Sequence, residues 1–171
     1  MEQKEIRMKI RSVRYDVEAS FFSLMSEEEA DGALFAEIAL QEGEGNPFDE
    51  EEKIEINTIG VWSDNGKRIE ISYEESEASG MEGSRTAICF EKNEEGLVSM
   101  IRTGAVSTAL VFEQGKRHHC VYNTPIMPFE LCVRTLTVEN HLMGGGCLLL
   151  DYVIELRGAK AERTKFELTI L

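Results

Sequence analysis

A chain of 171 residues, 42% hydrophobic and 29% charged, is the size of one domain and buries an ordinary core without metals or disulfides. Its 18 basic and 32 acidic residues give a net charge of −14, which repels phosphate backbones and anionic lipid surfaces. No nucleic-acid or membrane partner is therefore expected, and no apolar run approaches the roughly 18 residues of a spanning helix.

In chain order, residues 4–18 alternate as a strand does, with Ile6, Met8 and Ile10 on one face. The apolar phase then moves to Val13, Tyr15 and Val17, and such a slip predicts a β-bulge in one long, bent strand. Residues 19–52 are the irregular segment. SFFSLMSEEEADG reads either as a short helix, with Ser26 and Glu29 as a capping box, or as a strand end and an acidic turn. LFAEIALQ alternates weakly. GEGNPFDEEE reads as an exposed loop whose acidic run, 49–52, lacks the ligand spacing of a calcium loop.

From Lys53 the pattern is regular. KIEINTIGVW is a strand, and SDNG at 63–66 is a hairpin turn, because Asn-Gly tolerates positive φ. The next strands place Ile69, Ile71, Tyr73 and Glu75 on one face, then Thr86, Ile88 and Phe90, then Val98, Met100 and Arg102. Val106, Thr108, Leu110 and Phe112 follow, then His118, Cys120, Tyr122 and Thr124. Glycine-bearing turns at 80–83, 93–96 and 114–116 separate them. After a loop marked by Pro125 and Pro128 come FELCVRTLTVEN, a glycine-rich turn, and CLLLDYVIEL with Leu148, Leu150, Tyr152, Ile154 and Leu156 aligned. RTKFELTIL ends the chain with Phe166, Leu168 and Ile170 inward. This is an all-β meander of about nine or ten strands, and closure into an antiparallel up-and-down barrel best removes its edges.

The segments SYEES (72–76), Gly80, Thr86, MIRTG (100–104), FEQG (112–115), YNTP (122–125), RTLTV (134–138), LDYVIEL (150–156) and a final ELTI occur in an order that resembles the YwiB-like proteins. These are small uncharacterised bacterial proteins. The resemblance covers about 53–171 and the first strand, and it implies a calycin, or lipocalin-like, β-barrel. It implies no established activity, cofactor or catalytic residue. Ile126 and Met127 stand where the family pattern has a glycine, and residues 19–50 lengthen the connection between the first two family strands.

Arg102 is the first candidate for a site. A guanidinium on an apolar strand face needs a carboxylate or several acceptors, and Glu75 is positioned to supply one. Arg102 then reads a ligand carboxylate or phosphate, or it is a structural Arg–Glu partner. Tyr73, Tyr122 and Thr124 add hydroxyls that suit either a pocket or ordinary barrel packing. His118 and His119 face opposite sides of their strand, so together they make no metal site; His118 alone suits acid–base work. Cys89, Cys120, Cys132 and Cys147 form no close pair. They read as free thiols in a reducing compartment, with no metal and no cofactor expected. MEQKEIRMKI lacks an apolar leader segment, so a cytoplasmic location is expected.

Three functions follow from different uses of the barrel. The first is a binding protein for a small, partly apolar, anionic ligand lined by Ile71, Tyr73, Met100, Arg102, Phe112, Tyr122, Leu150 and Tyr152. The second is an interaction module with a filled barrel, in which Phe21, Phe22, Leu24 and Met25 dock a partner or a second copy as a homodimer. The third is an enzyme at the barrel mouth using Glu75, Arg102 and His118.

Overall fold

The computed structural model describes residues 1–17, 50–156 and 161–171. They form ten strands: β1 Glu2–Val17, β2 Glu50–Asp64, β3 Arg68–Glu74, β4 Ser84–Glu91, β5 Glu94–Gly104, β6 Thr108–Glu113, β7 Arg117–Asn123, β8 Pro128–Asn140, β9 Cys147–Leu156 and β10 Ala161–Ile170. The expected docking residues Phe21, Phe22, Leu24 and Met25 lie outside the described residues, as does most of 19–52. Residues 50–52, expected in a loop, belong to β2, where Glu52 pairs with Arg14 of β1.

Every pairing is antiparallel, and the strand order is β6-β5-β4-β3-β2-β1-β10-β9-β8-β7. The chain therefore runs up and down around a nearly closed barrel. β1 and β10 are zipped along ten registered pairs, from Met8↔Ile170 to Val17↔Ala161. β6 and β7 meet at one isolated bridge, where the Ser107 and Asn123 amides each donate to the other's carbonyl at 3.0 and 2.8 Å. That register would set Ala109 against Val121 and Val111 against His119, but no ladder forms there among the described residues. The turn between these strands is held by β8 instead. Gly115 N–H donates to the Thr135 carbonyl and Thr135 N–H to the Lys116 carbonyl, both at 3.0 Å. β8 shifts register at this point, between Thr135 and Thr137.

Alternation puts one row of each strand inside. Met8, Ile69, Ile71, Ile88, Val98, Met100, Phe112, Val133, Leu148 and Leu168 are fully buried in one core cluster. Burying each such side chain contributes on the order of 1.5–3 kcal/mol. Gly60 makes room for this packing: a Cβ there would run into Met8 Cε and come within 2.7 Å of the Ser72 carbonyl. The two ends of the barrel differ. One carries the tight turns at 65–67, 92–93 and 114–116 and the turn holding Leu142, which is 1% exposed. The other, the mouth, carries the connections 75–83, 105–107 and 124–127.

The expected phase slip in β1 is corrected. Pairing with β10 runs without interruption from Met8 to Val17, so Ser12 and Arg14 stay on the inner face with Met8 and Ile10. Val13 is simply an apolar residue on the outer face. The irregularity lies later, between Arg14 and Tyr15, and only against β2.

Candidate functional site

The polar inner residues of β3 to β6 gather at the mouth because the strands are in register there. Tyr73 pairs with Thr86, Thr86 with Arg102, and Arg102 with Thr108, which makes one row across β3, β4, β5 and β6. Cross-strand partners share a face, so these four side chains are neighbours. A second row, Thr135, Tyr152, Thr164, Arg14 and Glu52, runs across β8, β9, β10, β1 and β2.

Glu75 follows β3 and folds inward over the first row; its side chain is 3% exposed. Thr86 Oγ1 donates to Glu75 Oε1 at 2.5 Å. Arg102, with a side chain 12% exposed, brings Nε to 3.8 Å from the same oxygen. That is an ion-pair distance but too long for a hydrogen bond. Arg102 Nη2 instead donates to Met100 Sδ at 3.2 Å, a weak acceptor. Arg102 Nε and Thr108 Oγ1 are buried without a hydrogen-bond partner. The Arg102–Glu75 couple expected from the sequence is therefore present, and it leaves guanidinium donors unspent.

The surrounding hydroxyls are neutral. Burial pushes the Tyr73 phenol far above its ordinary value, and the charge of Glu75 pushes the same way, while Arg102 and Thr86 partly oppose it. Burial also raises Tyr152, against the pull of Arg102, Arg14 and Thr164. Both phenols thus keep their protons at neutral pH and can donate hydrogen bonds. Arg14 is committed elsewhere: its Nη1 donates to Glu52 Oε2 at 3.0 Å, and its Nε lies 3.9 Å from Glu162 Oε1.

Two expected members do not join. His118 lies at the opposite end of the barrel, with Nε2 3.3 Å from Glu113 Oε2. The constellation of Glu75, Arg102 and His118 is overturned, because His118 and Arg102 sit at different ends of their strands. Thr124 is spent on its own turn: Oγ1 donates to the Met127 carbonyl at 2.9 Å and accepts from the Ile126 and Met127 amides at 3.3 and 3.2 Å. Tyr122 does reach the mouth. The Ser107–Asn123 bridge sets it abreast of Thr108, and it packs half-buried against the core. Sequence reading missed Arg14 and Thr164. Counting by twos from Ile10 would have found Arg14, and counting back from Phe166 would have found Thr164.

A second concavity, a half-open groove of about 430 Å³, lies across β8, β9, β10 and β1 over Val13, Leu149 and Phe166. Several of its charges are paired. Arg11 Nε lies 3.1 Å from Glu55, and Asp151 holds Arg163. Among the described residues there is no group of three or more His, Cys, Asp or Glu arranged to hold a metal ion. The four cysteines are free thiols. No helix among the described residues is long and apolar enough to cross a membrane.

Ten antiparallel strands around an apolar core, with Tyr73, Glu75, Thr86, Arg102 and Thr108 collected at the mouth, define a nearly closed up-and-down β-barrel protein. The model of a family described as a domain of unknown function, DUF1934, matches residues 38–168, and the chain belongs to that family. The fold is similar to that in the crystal structure of the ywiB protein from Bacillus subtilis, with a TM-score of 0.57 and 14% identity over 99% of this chain and 95% of that one. No curated protein matches the sequence. The YwiB-like, all-β barrel expected from the sequence is thus the observed one.

Proposed function

We propose that this chain is a binding protein for a small, partly apolar molecule that presents an anionic group to Arg102. The observation that carries this reading is the state of the guanidinium. It is mostly buried, its Nε has no hydrogen-bond partner, and its nearest carboxylate stands at 3.8 Å. A buried arginine that serves only structure is normally satisfied by its acceptors. The neutral phenol of Tyr73 and the hydroxyl of Thr108 supply further donors around an anion, and apolar walls flank them. Glu75 holds the site at overall neutrality until a ligand arrives.

Native mass spectrometry of protein purified without denaturation, set against the denatured protein, tests this. The expected result is an added mass that is lost on denaturation and missing from Arg102→Gln. An added mass retained by Arg102→Gln would overturn the role of Arg102.

A further inference from the structure

We infer that the apolar part of the ligand lies along the rim of the mouth, from Arg102 over Thr108 to Tyr122, Phe129 and Met127, and that the ligand class is a single carboxylate with an extended apolar tail. This rests on the reading of Arg102 given above. The direction follows from what stands beneath that residue. The next inner position down β5 is Met100, fully buried, whose sulfur carries the Arg102 guanidinium at 3.2 Å. Deeper still, the rings of Phe112 and Tyr152 meet with centroids 4.7 Å apart. A tail descending the barrel has to displace both.

Sideways the row changes from polar to apolar and from buried to exposed. Arg102 pairs with Thr108, the Ser107–Asn123 bridge brings Tyr122 beside Thr108, and Tyr122 pairs with Phe129. Phe129 is 41% exposed, Met127 51% and Ile126 91%. Residues 121–129 carry no charge, in a chain that is 29% charged. Thr124 ties this tip into one shape, so the surface is formed before anything binds. From β5 to β8 the row crosses three strand spacings, at least roughly 14 Å, most of which an extended alkyl chain of about ten carbons covers.

The head group follows from charge. Glu75 lies 3.8 Å from Arg102 Nε, so a second negative charge on the head would crowd it. A carboxylate carries one charge and matches the planar guanidinium fork; a phosphate monoester carries nearly two.

The test uses decanoate, decyl phosphate and decanol, with Phe129→Trp as a fluorescent reporter at the rim. The single native tryptophan, Trp62, stands at the far end of the barrel. Decanoate is expected to shift the emission of the reporter indole, to bind more tightly than decyl phosphate, and to outcompete decanol. Replacing Ile126 and Met127 by Ser is expected to weaken decanoate about tenfold, and Arg102→Gln by about tenfold or more. Arg102-dependent binding of decanoate with a silent reporter and no effect at the tip would overturn the rim path and leave the binding site standing. Binding unaffected by Arg102→Gln would overturn the proposed function itself. Absence of decanoate binding would overturn the ligand class. If the Ser pair dissociates an oligomer and leaves decanoate binding unchanged, the tip is a protein interface and the inference falls.

Discussion

Two arginine–carboxylate pairs in this barrel are built to different standards. On the outer face, Arg163 grips Asp151 through two parallel contacts, Nε at 2.9 Å and Nη2 at 2.7 Å. At the mouth, Arg102 approaches Glu75 with one nitrogen at 3.8 Å and hydrogen-bonds a thioether. The outer pair spends its donors on a bidentate contact, which is how a guanidinium stabilises a fold. The inner pair has the more buried carboxylate, Glu75 at 3% exposed against 20% for Asp151, while its arginine is slightly more exposed, 12% against 8%, and it is less satisfied. The outer geometry is that of a pair bracing the barrel, whereas the inner one leaves Arg102 Nε without an acceptor.

The largest expected effect is on the outer pair. Asp151→Asn should cost about 2–3 kcal/mol in urea unfolding, since a charge-assisted bidentate contact is lost. A loss near zero would remove the contrast. Glu75→Gln comes next and should cost about 1 kcal/mol or less. The amide oxygen still accepts from Thr86, no hydrogen bond to Arg102 is broken, and relief of a buried charge offsets the lost attraction. The same variant should bind decanoate more tightly, because a competing carboxylate is gone. Weaker binding would place Glu75 among the groups that hold the ligand.

A third effect appears at alkaline pH. Tyr73 and Tyr152 are raised above their ordinary value of 10.0 in the folded protein. The folded state keeps protons that the unfolded chain releases, so stability is fully present below about pH 10 and falls as pH rises toward the folded values. Ultraviolet titration against Tyr73→Phe and Tyr152→Phe should show these phenols ionising late. Arg102→Gln should delay them further, since it removes a cation that opposes both shifts. Unchanged titration would mean Arg102 does not face the tyrosines. The smallest effect belongs to a half-buried pair at the tight-turn end. Lys92 Nζ, at 2.7 Å, and the Gly66 amide lower the Asp64 carboxyl. Its contribution is present above the ordinary value of 3.8 and is lost as pH falls through the lowered folded value. Asp64→Asn should flatten the acid limb of the stability profile slightly.

Strand faces were legible because the chain alternates with period two. The inward rows through Tyr73, Ile88, Met100, Phe112 and Leu150 were readable one residue at a time, and so was the Glu75–Arg102 encounter. What escaped was register. Nothing within a single strand tells that Thr86 stands between Tyr73 and Arg102, or that His118 and Arg102 occupy opposite ends, because these facts belong to pairs of strands. Arg14 escaped for a different reason: apolar Val13 on the outer face of β1 imitated a change of phase. The β6–β7 seam was invisible too, since both strands read as ordinary members of a ladder.

The full zipper between β1 and β10 also has a cost in time. Met8 and Ile170 become neighbours although nearly the whole chain separates them. Every other ladder among the described strands joins consecutive ones, and those can form while the chain is still emerging from the ribosome. The last cannot, so β1 keeps one edge without its partner until β10 has been synthesised. Closing so long a loop late makes the encounter of first and last strands the expected slow step of folding, and the waiting edge of β1 the place where a nascent chain is most open to pairing with the wrong strand.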